Sequence, residues 1–151
     1  MKIALWLHVL GMMVWVGGMF FAYMALRPAA AQVLQPAQRL PLWAATFARF
    51  FPWVWASATA ILTSGLYMVW VMGGFKGAPL YVHLMFVIGS GMMLIFAHVF
   101  FSPYARLKRF VAAQDWPEAG KALNQIRFLV GLNLVLGLVT VTVATALTRL
   151  L

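Results

Sequence analysis

The chain has 151 residues, of which 65% are hydrophobic and 9% charged, whereas an ordinary soluble domain is about half apolar and about a quarter charged. There is no cysteine, and Asp115 and Glu118 are the only acids, which excludes disulfides, thiolate chemistry, iron–sulfur clusters, carboxylate-pair hydrolysis and Mg²⁺ or Ca²⁺ cages. The net charge of +9 does not point to nucleic acid, because the bases lie between apolar segments and not on a soluble face.

Four apolar stretches are long enough to cross a bilayer. The first runs over residues 3–26, roughly 36 Å as a helix, and the Arg27-Pro28 pair is expected to end it. Its apolar core is about 24 residues long, well past the roughly 7 to 15 of a secretory leader, so it reads as a span. A polar connector follows, and Leu40–Phe51 reads as an interfacial stretch or an early extension of the second helix, with Pro41 and Pro52 interrupting it. The second span covers residues 52–72 and stops at Gly73 and Gly74; the third covers 80–101 and stops before Ser102-Pro103. The segment 102–127 holds both acids, and Asp115-Trp116-Pro117-Glu118 spells a helix start with Asp as cap. That helix is expected to run into the fourth span, 128–148. The reading is all-α: one transmembrane domain, an integral membrane four-helix bundle with the lipid bilayer as its surroundings.

Lys and Arg counts orient it. Arg27, Arg39, Arg49, Arg106, Lys108, Arg109, Lys121 and Arg127 fall in the segments 27–51 and 102–127, against Lys2, Lys76 and Arg149 at the other end. The excess makes those two segments cytoplasmic loops and puts both termini on the periplasmic side of a bacterial inner membrane. Trp6, Trp43, Trp53, Trp55, Trp70 and Trp116 fall near span ends, as an interfacial aromatic belt requires.

Ionisable side chains at membrane depth are expensive, so the three span histidines are the first candidates for function. His8 and His83 are each a few residues in from the outer end of their helix, at matching depth, whereas His98 is fifteen residues beyond His83, roughly 22 Å lower. Two histidines on separate helices at one depth suit either the two faces of a haem iron or a copper ion. Around His8 the helical wheel places Gly11, Trp15, Met19 and Ala22, with Gly18 on the flank; around His83 it places Phe86, Val87 and Ser90. Small residues beside apolar walls would leave room for a porphyrin, although glycines also serve close helix packing. The rival donors are thioethers: Met68 and Met72 near the outer end of the second span, and Met12 one turn after His8. Methionine is also a common core filler. On the fourth helix Asn133, Gly137, Thr140, Ala144 and Thr148 form a small, polar stripe read as packing, with Asn133 at a depth where it could bond His98.

The first helix, with Leu7-His8-Val9 and then Trp15-Val16-Gly17-Gly18, resembles the opening of the CopD family of copper-resistance membrane proteins. His83, His98 and the basic segment through Tyr104, Arg106, Lys108 and Arg109 extend the resemblance over nearly the whole chain. It implies copper uptake or handling, with the family's first-helix histidine falling on His8 and its third-helix histidines on His83 and His98. The wider superfamily is similar to four-helix b-type cytochromes and to the HemJ protoporphyrinogen oxidases. HemJ proteins carry a lysine soon after the first histidine of the third helix, where this chain has Leu84 to Val87, which speaks against that oxidase activity. Two expectations result. The first is haem b held by His8 and His83 near the periplasmic face, exchanging electrons with a quinone or a small redox partner. The alternative is a copper-binding or copper-import protein using the same histidines with Met68, Met72 and Met12, served by a periplasmic copper partner. His98 is the candidate for a second site.

Overall fold

The computed structural model describes residues 1–150, with side chains described through Thr148. It is helical throughout, with no strand among the described residues. Helix α1 is Lys2–Phe21 and α2 is Arg27–Val33, joined without a break by one π-helical turn, Ala22–Leu26. Pro28 explains that turn. Proline has no N–H, and its ring collides with the carbonyl four residues back in a regular helix. The wider turn relieves this: Arg27 N–H bonds Ala22 O, and the freed Tyr23 carbonyl accepts a hydrogen bond from Arg27 Nε at 3.3 Å. The first helix therefore continues through a π turn at the Arg27-Pro28 pair, where the sequence suggested it ends.

The segment 27–51 is likewise helical almost throughout and not a loop. Helix α3, Pro36–Val71, carries Pro41 and Pro52 inside it; each removes one ladder hydrogen bond, and packing on both sides of Pro52 holds the helix together. Its C-terminus is a glycine stop. Gly73 and Gly74 have φ of +89° and +83°, and Gly74 N–H reaches back to Val69 O at 2.9 Å while Gly73 N–H bonds Trp70 O at 3.1 Å. Helix α4 is Leu80–Phe101, α5 Pro103–Ala112 and α6 Trp116–Leu150. The α5–α6 junction repeats the device with a non-glycine residue: Gln114 sits at φ +56°, and Asp115 N–H bonds Phe110 O at 2.9 Å. Asp115 then caps α6 as expected, its Oδ1 accepting from Glu118 N–H at 3.4 Å.

Four helices are long and apolar enough to cross a membrane. They form antiparallel pairs, α1 against α3 and α4 against α6. Glycines set the approach: a Cβ on Gly11 would lie 2.9 Å from Ile61 Cγ1, and one on Gly137 2.8 Å from Val16 Cγ2. The pairs meet in an aromatic core near α5, the connector end of the bundle. There Phe47 stacks on Phe51 at 4.9 Å, Tyr104 packs edge-on to Phe51 at 4.8 Å, and Phe96 lies 4.9 Å from Trp55. Trp43 belongs to this core, 6% exposed, and not to an interfacial belt, whereas Trp6, Trp53 and Trp70 do face outward. The opposite end, where the chain starts and where α3 meets α4, is packed less tightly. Every buried residue of α4 lies at or beyond Met92.

Candidate metal centre

His8 projects from the second turn of α1 onto α3. Its Nδ1 lies 3.1 Å from Ile61 O and 3.1 Å from Ser64 Oγ. A main-chain carbonyl can only accept, so Nδ1 is the donor, and in the neutral ring Nε2 keeps its lone pair. Ser64 is itself fixed by donating to Ala60 O, which leaves its oxygen free to accept from His8. Gly65 completes the seat: a Cβ there would stand 3.2 Å from His8 Cε1. Ser64 and Gly65 did not stand out in the sequence. The one available signal was a serine in an apolar span, and without the register of α1 on α3 it had no partner.

Met68 and Met72 follow Ser64 at four-residue steps and continue its stripe of α3 toward the end where the chain starts. Both are half-buried, as is Met12, one turn below His8. Met68 and Met12 therefore lie about one helical turn, roughly 6 Å of rise, from the His8 seat on either side, and Met72 about two turns, roughly 12 Å, from it.

His83 is held differently. Its Nδ1 donates to Pro79 O at 3.2 Å, within its own helix, and its ring lies 5.7 Å from that of Phe75. In the neutral ring this leaves Nε2 as the nitrogen with the lone pair. Phe75 comes from the turn after Met72 and also packs on Phe86 at 5.0 Å, so α4's first turns are tied to the end of α3. No hydrogen bond or ring contact among the described residues joins His8 to His83. His98 is exposed on the outer surface of the bundle, and Asn133 does not bond it. Instead Asn133 Nδ2 donates to Met92 O at 3.1 Å, and its buried Oδ1 has no protein partner. Six residues separate Met92 from His98, about 120° around the helix, so the two cannot both face α6.

The remaining candidates are used in packing. Gly11 accommodates Ile61, Gly18 lies against the Phe50 ring, and Trp15 is 2% exposed with Phe96 edge-on at 6.1 Å. Phe86 is exposed apart from Phe75, and Ser90 is half-buried. Among the described residues no three His, Cys, Asp or Glu side chains cluster as a metal site. The other soft donors near His8 are the thioethers of Met12, Met68 and Met72.

A helical bundle of four membrane-crossing segments, with imidazole and thioether donors at one end, defines the class. The family model described as Copper resistance protein D matches residues 44–147, and the chain belongs to the CopD family. The matched segment contains Ser64, Met68, Met72, His83 and His98, while His8 precedes it. Searches of curated proteins and of solved structures return no match.

Proposed function

We propose that this protein handles copper in the bacterial inner membrane, binding Cu(I) as cargo near the periplasmic face through His8 Nε2 and the thioethers of Met68 and Met72. His83 and Met12 are the further donors. One observation supports this above the others: His8 Nδ1 is tied to Ile61 O and Ser64 Oγ, which orients the ring and frees Nε2, the arrangement that partners of ligating histidines impose. Membership in the CopD family adds copper as the relevant metal. The basic segments around α2 and α5 favour the cytoplasmic side for the connector end, and so the periplasm for His8. Haem b between His8 and His83 is the second reading, and the freed Nε2 of each ring favours it. The small positions that would have admitted a porphyrin are filled by Ile61 and Phe50, and copper needs no such space.

The test is Cu(I) titration of the detergent-purified protein against a chromophoric chelator, with oxidised and dithionite-reduced visible spectra of the same sample. His8→Ala and Met68→Leu are expected to weaken Cu(I) binding by on the order of tenfold or more, in the range seen for losing support of a metal ligand, and His98→Ala to leave it unchanged. Unaltered titrations in His8→Ala and Met68→Leu would refute the copper site. A Soret band that gains a sharp alpha band on reduction, and is lost in His8→Ala and His83→Ala, would establish haem b in its place.

A further inference from the structure

The connector end contains a second feature that the copper reading leaves unused. The α1–α2 segment and the first turns of α3 and α6 line a half-open cavity of about 580 Å³, within the usual range for small-ligand sites. Arg27, Arg39, Lys121 and Arg127 line it, and no acid does. Lys121 is paired with Glu118 at 2.9 Å, the one ion pair among the described residues. Arg27 and Arg39 are half-buried. Arg27 bonds only the Tyr23 carbonyl and lies over the Tyr23 ring at 4.5 Å. Arg39 has no side-chain hydrogen bond among the described residues. Guanidinium groups drawn partly out of water without a counter-charge are unfavourable, and an anion between them reverses the sign.

Two further observations narrow that anion. The helix starts at Pro36 and at Trp116-Pro117 both open on the cavity; the α6 start is capped by Asp115, but the first turn of α3 has neither a side-chain cap nor an acid, so the positive end of the α3 dipole adds to the basic side chains. The remaining wall is apolar and aromatic, formed by Tyr23, Trp43, Phe47 and Val130, and it leads from the charged rim toward the membrane-crossing part of the bundle. A free inorganic anion has no use for that wall. An amphipathic one does.

We propose that this cavity binds an anionic phospholipid of the adjoining leaflet, with its phosphate between Arg27, Arg39 and Arg127 and its glycerol and upper acyl chain along Trp43 and Phe47. Basic pockets at the ends of membrane helices recognise lipid headgroups by this chemistry. The site is separate from the histidines, and its test does not depend on copper.

Native mass spectrometry of the whole protein released from detergent micelles, with phosphatidylglycerol or phosphatidylcholine added, reads it directly. The expected result is retention of phosphatidylglycerol over phosphatidylcholine, weakened roughly fivefold by Arg39→Gln and again by Arg127→Gln, as loss of one basic contact each implies. Lys76→Gln, at the far end of the bundle, should leave retention unchanged. Arg127 is exposed, so Arg127→Gln keeps the test valid should Arg39→Gln impair folding. Equal retention of the two lipids, or retention indifferent to both arginine variants, overturns the proposal. Displacement of phosphatidylglycerol by millimolar inorganic phosphate overturns it in favour of a free-anion site.

Discussion

The approach of α1 to α3 seats His8, and it can be tested with two neighbouring glycines. A Cβ on Gly11 would meet Ile61 Cγ1 at 2.9 Å and the Ser57 carbonyl at 3.1 Å, whereas one on Gly17 meets nothing within 4 Å. Both Gly→Ala changes gain helix propensity, about 0.8–1 kcal/mol on scales measured in water, and that gain cancels when the two variants are compared. What remains is the overpacking at Gly11. The Ser57 oxygen is main chain and cannot rotate away, so α1 must shift outward by a few tenths of an ångström, and such insertions typically cost about 1–3 kcal/mol. Gly11→Ala is therefore expected to be less stable than Gly17→Ala by about 1–3 kcal/mol, read from unfolding in SDS-containing mixed micelles followed by circular dichroism. His8 lies one turn from Gly11, so the 3.1 Å bonds to Ile61 and Ser64 should lengthen too, and Gly11→Ala should also weaken Cu(I) binding. Indistinguishable unfolding curves for the two variants would refute the packing of α1 described above.

Gln114→Gly is expected to stabilise the protein by up to about 1 kcal/mol, since it removes a side chain from the left-handed conformation at φ +56°; thermal unfolding in detergent checks it, and a loss of stability would mean the Gln114 side chain contributes more than its backbone costs. Asp115→Ala, which deletes the cap on α6, should lose about 1 kcal/mol in the same measurement, and no change would show that the helix start is held by other contacts. Asn133→Leu should change stability by no more than about 1.5 kcal/mol, because the residue has an unpartnered Oδ1 and a single bond to Met92 O; a larger loss would reveal a partner such as a bound water. If His83 binds the ion together with His8, Cu(I) should slow amide exchange over residues 80–91 as well as in α1 and α3, and protection confined to α1 and α3 would remove His83 from the site.

The four spans were legible because nothing except membrane helices accounts for such long apolar runs with so few charges. The Asp115 cap was legible as well, because a cap acts within its own four residues. The helix end expected at Arg27-Pro28 was misread for a physical reason, whereas for Leu40–Phe51 the structure has the early extension of the second helix, one of the two readings left open. Pro28, Pro41 and Pro52 each remove one hydrogen bond, but Pro28 is accommodated by a π turn, and the other two lie in a helix whose neighbours hold it straight through. The environment of His8 was not legible at all. Helical periodicity gives the face on which His8 lies, but not which residue of another helix it meets, and that depends on the Gly11–Ile61 approach setting the register. The aromatic core had a faint signal in the four-residue spacing of Trp43, Phe47 and Phe51, and of Phe96, Phe100 and Tyr104. In a chain with this many aromatics, such spacing does not say which rings meet.

The two ends of the bundle divide the demands placed on it. The connector end is closed by stacked rings and by the α5–α6 contact, where Leu107 and Ile126 have no exposed surface; rigidity there fixes the angle between the α1–α3 and α4–α6 pairs. At the other end α4 buries no residue before Met92, and its first turns meet the end of α3 through the Phe75 ring alone among the ring contacts. A site that takes up and releases an ion needs one donor held in place and others able to close on it. On the proposed copper reading, His8, bonded to Ile61 O and Ser64 Oγ on α3, would be the fixed donor, and His83, bonded to Pro79 O and packed on Phe75, the one that closes on the ion. Sequence relatedness follows the same division. The matched segment begins at Ala44 and supplies the seat at Ser64 and Gly65 together with both thioethers, while the imidazole that fills the seat comes from α1 outside it. The seat and its ligand are thus encoded in separate segments, and only the packing of α1 on α3 makes them one site.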